Sequence, residues 1–134
     1  MAALRSPTAA GRFYPAEPTL LARTVDALLA AQQAADRAPK ALVAPHGSYA
    51  CSGRAAAAAF AQLRADHDWL RRVVVLGPSH GLPCTGIALS SVAAFVTPLG
   101  TVAVDLDAQE RVADLPQVSR REDAHRSEYS IEVQ

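Results

Sequence analysis

Apolar positions along the chain fall into two kinds of pattern. Leu20, Leu21, Val25, Leu28 and Leu29 recur near a period of about 3.6 residues, which predicts an amphipathic helix over residues 19–35, with Thr19 as its cap and Pro39 closing the connection. The run Lys40-Ala41-Leu42-Val43-Ala44, ended by Pro45, reads as a buried strand, and Arg72-Val73-Val74-Val75-Leu76 as the clearest strand of the sequence. Between them a loop over 45–53 precedes an Ala-rich helix over 54–65, anchored by Phe60 and Leu63. Strand, helix, strand in this order predicts a right-handed βαβ unit, with 41–44 and 73–76 as parallel neighbours. Shorter alternating runs predict strands at 86–90, 95–97 and 101–104, and a helix over 106–115 capped by Asp105 or Asp107. Residues 1–18 read as a Pro- and Gly-punctuated arm carrying a docked turn at Gly11-Arg12-Phe13-Tyr14-Pro15. The polar tail from 120 turns helical over 127–134. The fold class expected is α/β: a βαβ-based mixed or parallel sheet with helices on both faces.

Composition narrows the class further. With 134 residues, half of them apolar, the chain suits one domain and is too apolar for disorder. Thirteen basic residues balance thirteen acidic ones, so the net charge of zero favours neither nucleic acid nor a membrane surface as partner. No targeting segment stands at the start, and no apolar run approaches the roughly 18 residues that span a bilayer, so a cytoplasmic location is expected. A composition of 29 Ala and 12 Arg against one Lys and no Asn points to a GC-rich bacterial genome. Cys51 and Cys84 stand in no CxxC, which argues against a zinc ribbon or a disulfide framework, and each reads as a small half-buried hydrophobe.

The candidate chemistry lies after the two main predicted strands. His46 follows the first in Ala44-Pro45-His46-Gly47, and His80 follows the second in Gly77-Pro78-Ser79-His80-Gly81. Ligands of parallel sheets bind outside the carboxyl ends of the strands, and neighbouring strands lie about 4.8 Å apart. Two imidazoles there are expected to converge on one crevice, with coordinating nitrogens roughly 3–4 Å apart around a shared metal ion. The residues alone leave a second reading open, in which both histidines only hydrogen-bond a ligand. His67 precedes the second strand and is expected at the opposite end of the sheet. His125 reads as a ligand, a partner of a ligand or a polar residue at a helix start. Ser79 lies in no GxSxG elbow, and the glycines form neither GxGxxG nor a P-loop, so no nucleotide cofactor is expected.

Five stretches together resemble the Memo family, also called AmmeMemoRadiSam system protein B. They are Ala10-Gly11-Arg12-Phe13-Tyr14-Pro15, Ala44-Pro45-His46 with Tyr49 and Ser52-Gly53, Leu76-Gly77-Pro78-Ser79-His80, Thr97-Pro98-Leu99-Gly100, and Ser130-Ile131-Glu132-Val133-Gln134. The family is similar in fold to class III, non-haem-iron extradiol dioxygenases. The resemblance implies that His46 and His80 are ligands of an iron or copper ion, the family's third ligand being a cysteine of a second half. It leaves Ser79, Tyr49, His125, Glu128 and Tyr129 as residues around the pocket. Two departures stand out: Glu128-Tyr129 where the family pattern is usually Glu-His, and Gly47-Ser48 where Ala-Gly is commoner. The expectation is a single Memo-like domain over 1–134, truncated on its C-terminal side. Its expected role is a metal-binding, dioxygenase-like redox one that this chain alone performs weakly or not at all. The alternatives are a non-catalytic module for a peptide or small-molecule ligand, and an inactive fragment.

Overall fold

The structure is a computed structural model that describes residues 3–134, the side chains of residues 66 and 67 excepted. The expectation for His67 therefore concerns a side chain outside the described residues. In chain order the elements are β1 (Leu4–Arg5), α1 (Pro18–Ala30), α2 (Tyr49–Phe60), a 3₁₀ helix (Ala61–Trp69), β2 (Ile87–Leu89), β3 (Ala94–Thr97), β4 (Gly100–Ala103), α3 (Leu106–Ala113), β5 (Val118–Arg120) and α4 (Glu122–His125). The architecture is mixed α/β. Among the described residues no helix is long and apolar enough to cross a membrane.

Local chemistry sets the helix ends. Glu17, not Thr19, caps α1: its carboxylate accepts from the backbone N–H of Thr19 at 2.8 Å and of Leu20 at 2.6 Å, and Pro18 fills the first turn, where its missing N–H costs nothing. The helix stops at Ala30, once the apolar period ends at Leu29. The Leu29 carbonyl of its last turn accepts from the Arg64 guanidinium at 2.5 Å, which also donates to Gln32 O, just beyond the helix, at 3.3 Å. Helix α2 begins at Tyr49, five residues before the predicted start. Gly53 lets it approach α1, since a Cβ there would lie 3.0 Å from Leu28 Cδ1. Asp105 caps α3 as expected, accepting from Ala108 N at 2.8 Å.

The strands form two small sheets. One has the order β1-β3-β4, with β1 parallel to β3 (Leu4 opposite Ala94) and β3 antiparallel to β4 (Phe95 opposite Val102). The other pairs β2 with β5 in parallel, Ile87 opposite Val118. Gly86 precedes β2 at φ 82°, and a Cβ there would sit 2.2 Å from Gln117 O, the acceptor of the Ile87 N–H.

The expected parallel pair is corrected. Neither 40–44 nor 72–76 enters a ladder among the described residues. Both runs carry exposed side chains: Val43 is 98% exposed, Val74 79% and Leu76 75%. A strand exists only through the neighbour that takes its N–H and C=O groups, and an apolar run carries no information about where that neighbour is. The tail expected to turn helical at 127–134 is likewise a series of turns, the short helix α4 lying just before it.

The core gathers the two ends of the sequence. Ala9, Tyr14, Leu21 and Val133 are buried together, with Phe13, Val25, Tyr49 and Tyr129 packed against them. Beside this core the arm and the C-terminal turn are clasped by Glu132. Its carboxylate accepts from Ala9 N and Tyr14 Oη, both at 2.7 Å, from Thr8 N and Oγ1, and from Arg5 Nη1 at 3.0 Å. Arg5, buried under the Phe95 ring, also donates to the carbonyls of His125 and Glu128. This clasp carries the segment 128–132 to the two histidine loops.

Candidate functional site

The His46 loop is fixed from both sides. Tyr49 N, at the start of α2, donates to Phe13 O at 2.8 Å, and Pro45 O accepts from the Gln134 side chain at 3.2 Å. The turn at 11–15 and the C-terminal residue thus hold the loop between them. Gly47 allows the close approach of Ser52, whose Oγ would be 2.9 Å from a Cβ there.

The His80 loop rests on residues 128–131. A Cβ at Gly77 would lie 2.5 Å from Ser130 Oγ and 3.1 Å from Ile131 Cγ1, so only glycine permits this contact. Ser130 Oγ donates to Pro78 O at 2.8 Å, and Ser79 Oγ donates to Leu82 O at 2.7 Å. Glu128 then binds His80 twice. One carboxylate oxygen accepts from the His80 backbone N–H at 2.6 Å, and the other stands 2.9 Å from ring Nδ1. That second oxygen also accepts from the backbone N–H of Tyr129 at 2.9 Å and of Ser130 at 2.8 Å. Burial by itself raises the Glu128 pKa, but the hydrogen bonds from His80 and Ser130 outweigh it and pull the carboxyl down to about 2, so it is ionised at neutral pH.

The rings of His46 and His80 come together as expected, with centroids 5.1 Å apart and planes tilted by 56°. They continue a column of rings. His80 stacks on Tyr129 at 4.7 Å and 11°, and Tyr129 meets the edge of Phe13 at 4.4 Å. The convergence survives without the predicted ladder because loop-to-turn hydrogen bonds, rather than strand pairing, set it.

Of the residues expected around the pocket, Glu128 and Tyr129 touch His80. Tyr49 packs against the core, its ring 5.8 Å from that of Tyr14, and burial raises its pKa. His125 ends α4 and is tied through Nε2 to Ala88 O at 2.9 Å. With Ser79, Cys84, Glu128 and Ile131 it lines a separate cleft of about 440 Å³. Cys51 is exposed on α2, not half-buried, Cys84 is partly exposed, and both are free thiols. Among the described residues no group of three or more His, Cys, Asp and Glu side chains is placed to hold a metal ion. The histidine pair thus offers two imidazole donors, a fit to part of a coordination sphere. Sequence reasoning missed Arg5, which lies in a stretch read as a loose arm, and saw Glu132 only as part of a family stretch.

Comparison with known proteins follows the same residues. A family model described as Memo-like protein matches residues 5–134. The chain is 33% identical over 131 residues to a MEMO1 family protein of Aquifex aeolicus (strain VF5), the match covering 98% of this chain and 48% of that protein. It is 35% identical over 135 residues to the MEMO1 family protein TK1477 of Thermococcus kodakarensis, covering 98% and 45%. It is 37% identical over 101 residues to Protein MEMO1 of Homo sapiens, covering 75% and 33%. The chain spans about half the length of these two prokaryotic relatives, and its match to the human protein covers a third of that protein. With the histidine loops, the turn at 11–15 and the segment 128–134 all inside the matched region, the chain belongs to the Memo family.

Proposed function

We propose that this chain is the histidine-bearing part of a Memo-like metal-binding protein, in which His46 and His80 hold an iron or copper ion. One observation carries the reading: the two imidazole rings stand 5.1 Å apart on loops that the rest of the fold holds in place. Imidazole suits both metals, and unfilled coordination positions are what redox chemistry with an external oxidant needs. When bound, the ion would supply Lewis acidity and one-electron chemistry. The chain's own residues bind and orient: Glu128 anchors the His80 loop and ring, Tyr129 fixes the plane of that ring, and Gln134 and Phe13 hold the His46 loop. Among the described residues no third protein ligand joins the two imidazoles, so weak binding and little or no turnover are expected of this chain alone.

Anaerobic calorimetric titration with Fe²⁺, and separately with Cu²⁺, tests the reading beside His46→Ala and His80→Ala. Weak binding lost in both variants supports it. Tight binding that survives both places the site elsewhere, and no binding by the native chain overturns it. The second reading, a non-catalytic module for a peptide or small molecule, draws on the 440 Å³ cleft beside Glu128 and predicts no metal-dependent heat.

A further inference from the structure

We infer that Glu128 is a positioning residue that holds neutral His80 as the Nδ1–H tautomer, leaving the lone pair on Nε2. The inference rests on the metal-site reading for its purpose but not for its geometry. The carboxylate oxygen 2.9 Å from Nδ1 already accepts two backbone N–H groups, from Tyr129 and Ser130, and its twin accepts the His80 backbone N–H. An ionised carboxylate only accepts, so a ring nitrogen at that distance must donate. The proton therefore sits on Nδ1. Free imidazole side chains prefer the opposite tautomer, so this is a choice the fold imposes. The stacked Tyr129 ring fixes the ring plane, and the Glu128 contact fixes which edge faces inward. Together they present Nε2 as the nitrogen with a free lone pair. The other groups facing this ring, His46 and Tyr129, offer no competing acceptor of carboxylate strength. A carboxylate behind a ligating histidine also makes the ring more basic toward a metal.

The test uses the full chain labelled with ¹⁵N-histidine, without metal, at a pH where histidine is neutral. Long-range ¹H–¹⁵N correlation distinguishes a protonated from an unprotonated ring nitrogen, and a His80→Ala spectrum assigns the signal. A pyrrole-type Nδ1 and pyridine-type Nε2 on His80 are expected in the native chain, a result that does not depend on whether any variant folds. Glu128→Ala is expected to move the signal toward Nε2–H, and Glu128→Asp to restore part of the native pattern. Ser130→Ala removes the hydroxyl on Pro78 O and loosens the same loop without removing the acceptor, so it should leave the tautomer in place. Cu²⁺ affinity should fall by about 10–100-fold in Glu128→Ala. An Nε2–H tautomer in the native chain overturns the inference, as does an identical tautomer in Glu128→Ala. If the native chain shows Nδ1–H yet binds no Fe²⁺ or Cu²⁺, the metal reading fails and this one stands.

Discussion

Replacing Glu132 by Gln removes one charge and one acceptor oxygen from the clasp between the arm and the C-terminal turn. Whichever way the new amide is turned, its NH₂ group faces donors: Arg5 Nη1 and Thr8 N on one side, Ala9 N and Tyr14 Oη on the other. Arg5 stays buried without its counter-charge, the Arg5 and Glu132 side chains being 5% and 2% exposed. Breaking such a buried pair from one side costs about 3–5 kcal/mol, a large share of the roughly 5–15 kcal/mol that keeps a domain folded. With a urea slope of about 2 kcal/mol per molar, the midpoint should fall by roughly 1.5–2.5 M. Urea titration followed by far-UV circular dichroism at neutral pH measures it, and a loss below about 1 kcal/mol would refute the assignment. The pH dependence has a definite sign. Burial raises the Glu132 pKa, yet the hydrogen bonds from Thr8, Tyr14 and Ala9 outweigh it and leave the folded carboxyl below its ordinary value. Its contribution is therefore complete above the unfolded value near about 4.3 and is lost as pH falls through the lower folded value. The gap between native and Glu132→Gln chains should narrow on acidification. A gap constant down to about pH 3 would mean that the charge is not what the clasp uses.

Two further outcomes follow from the glycines. Gly86→Ala should be far more damaging than Gly100→Ala: the first forces a Cβ to within 2.2 Å of Gln117 O, whereas the second, at φ 137°, meets nothing within 4 Å and bears only backbone strain of about 1–3 kcal/mol. Thermal unfolding ranks them, and equal losses would count against the tight β2–β5 junction. Gly77→Ala should push Ser130 and Ile131 away and loosen the His80 loop. The ring-current shift that Tyr129 imposes on the His80 ring protons should then shrink, and unchanged His80 resonances would show that the loop does not depend on this contact.

Several features of the molecule are written locally and were legible. The apolar period through Leu21 and Leu28 sets α1, the alternating runs set β2 to β4 to within two residues at each end, and Asp105 stands where a helix start needs an acceptor. The turn chemistry after residues 44 and 76 placed His46 and His80 at loop positions, but their approach rests on hydrogen bonds to remote turns rather than on the predicted strand pair. What failed, or went unseen, depends on partners remote in sequence. The apolar runs 40–44 and 72–76 have strand composition, but a ladder needs a second backbone, and composition does not name one. Arg5 and Glu132 are 127 residues apart, and no periodicity links them. Glu128 was expected around the pocket only through the family resemblance, and its particular contact appears when the fold sets it 2.9 Å from the His80 ring. Periodic patterns report which face of one element turns inward. Hydrogen-bond acceptors and buried charges find their counterparts only when the chain closes on itself, as Glu128 does at His80 and Glu132 at Arg5.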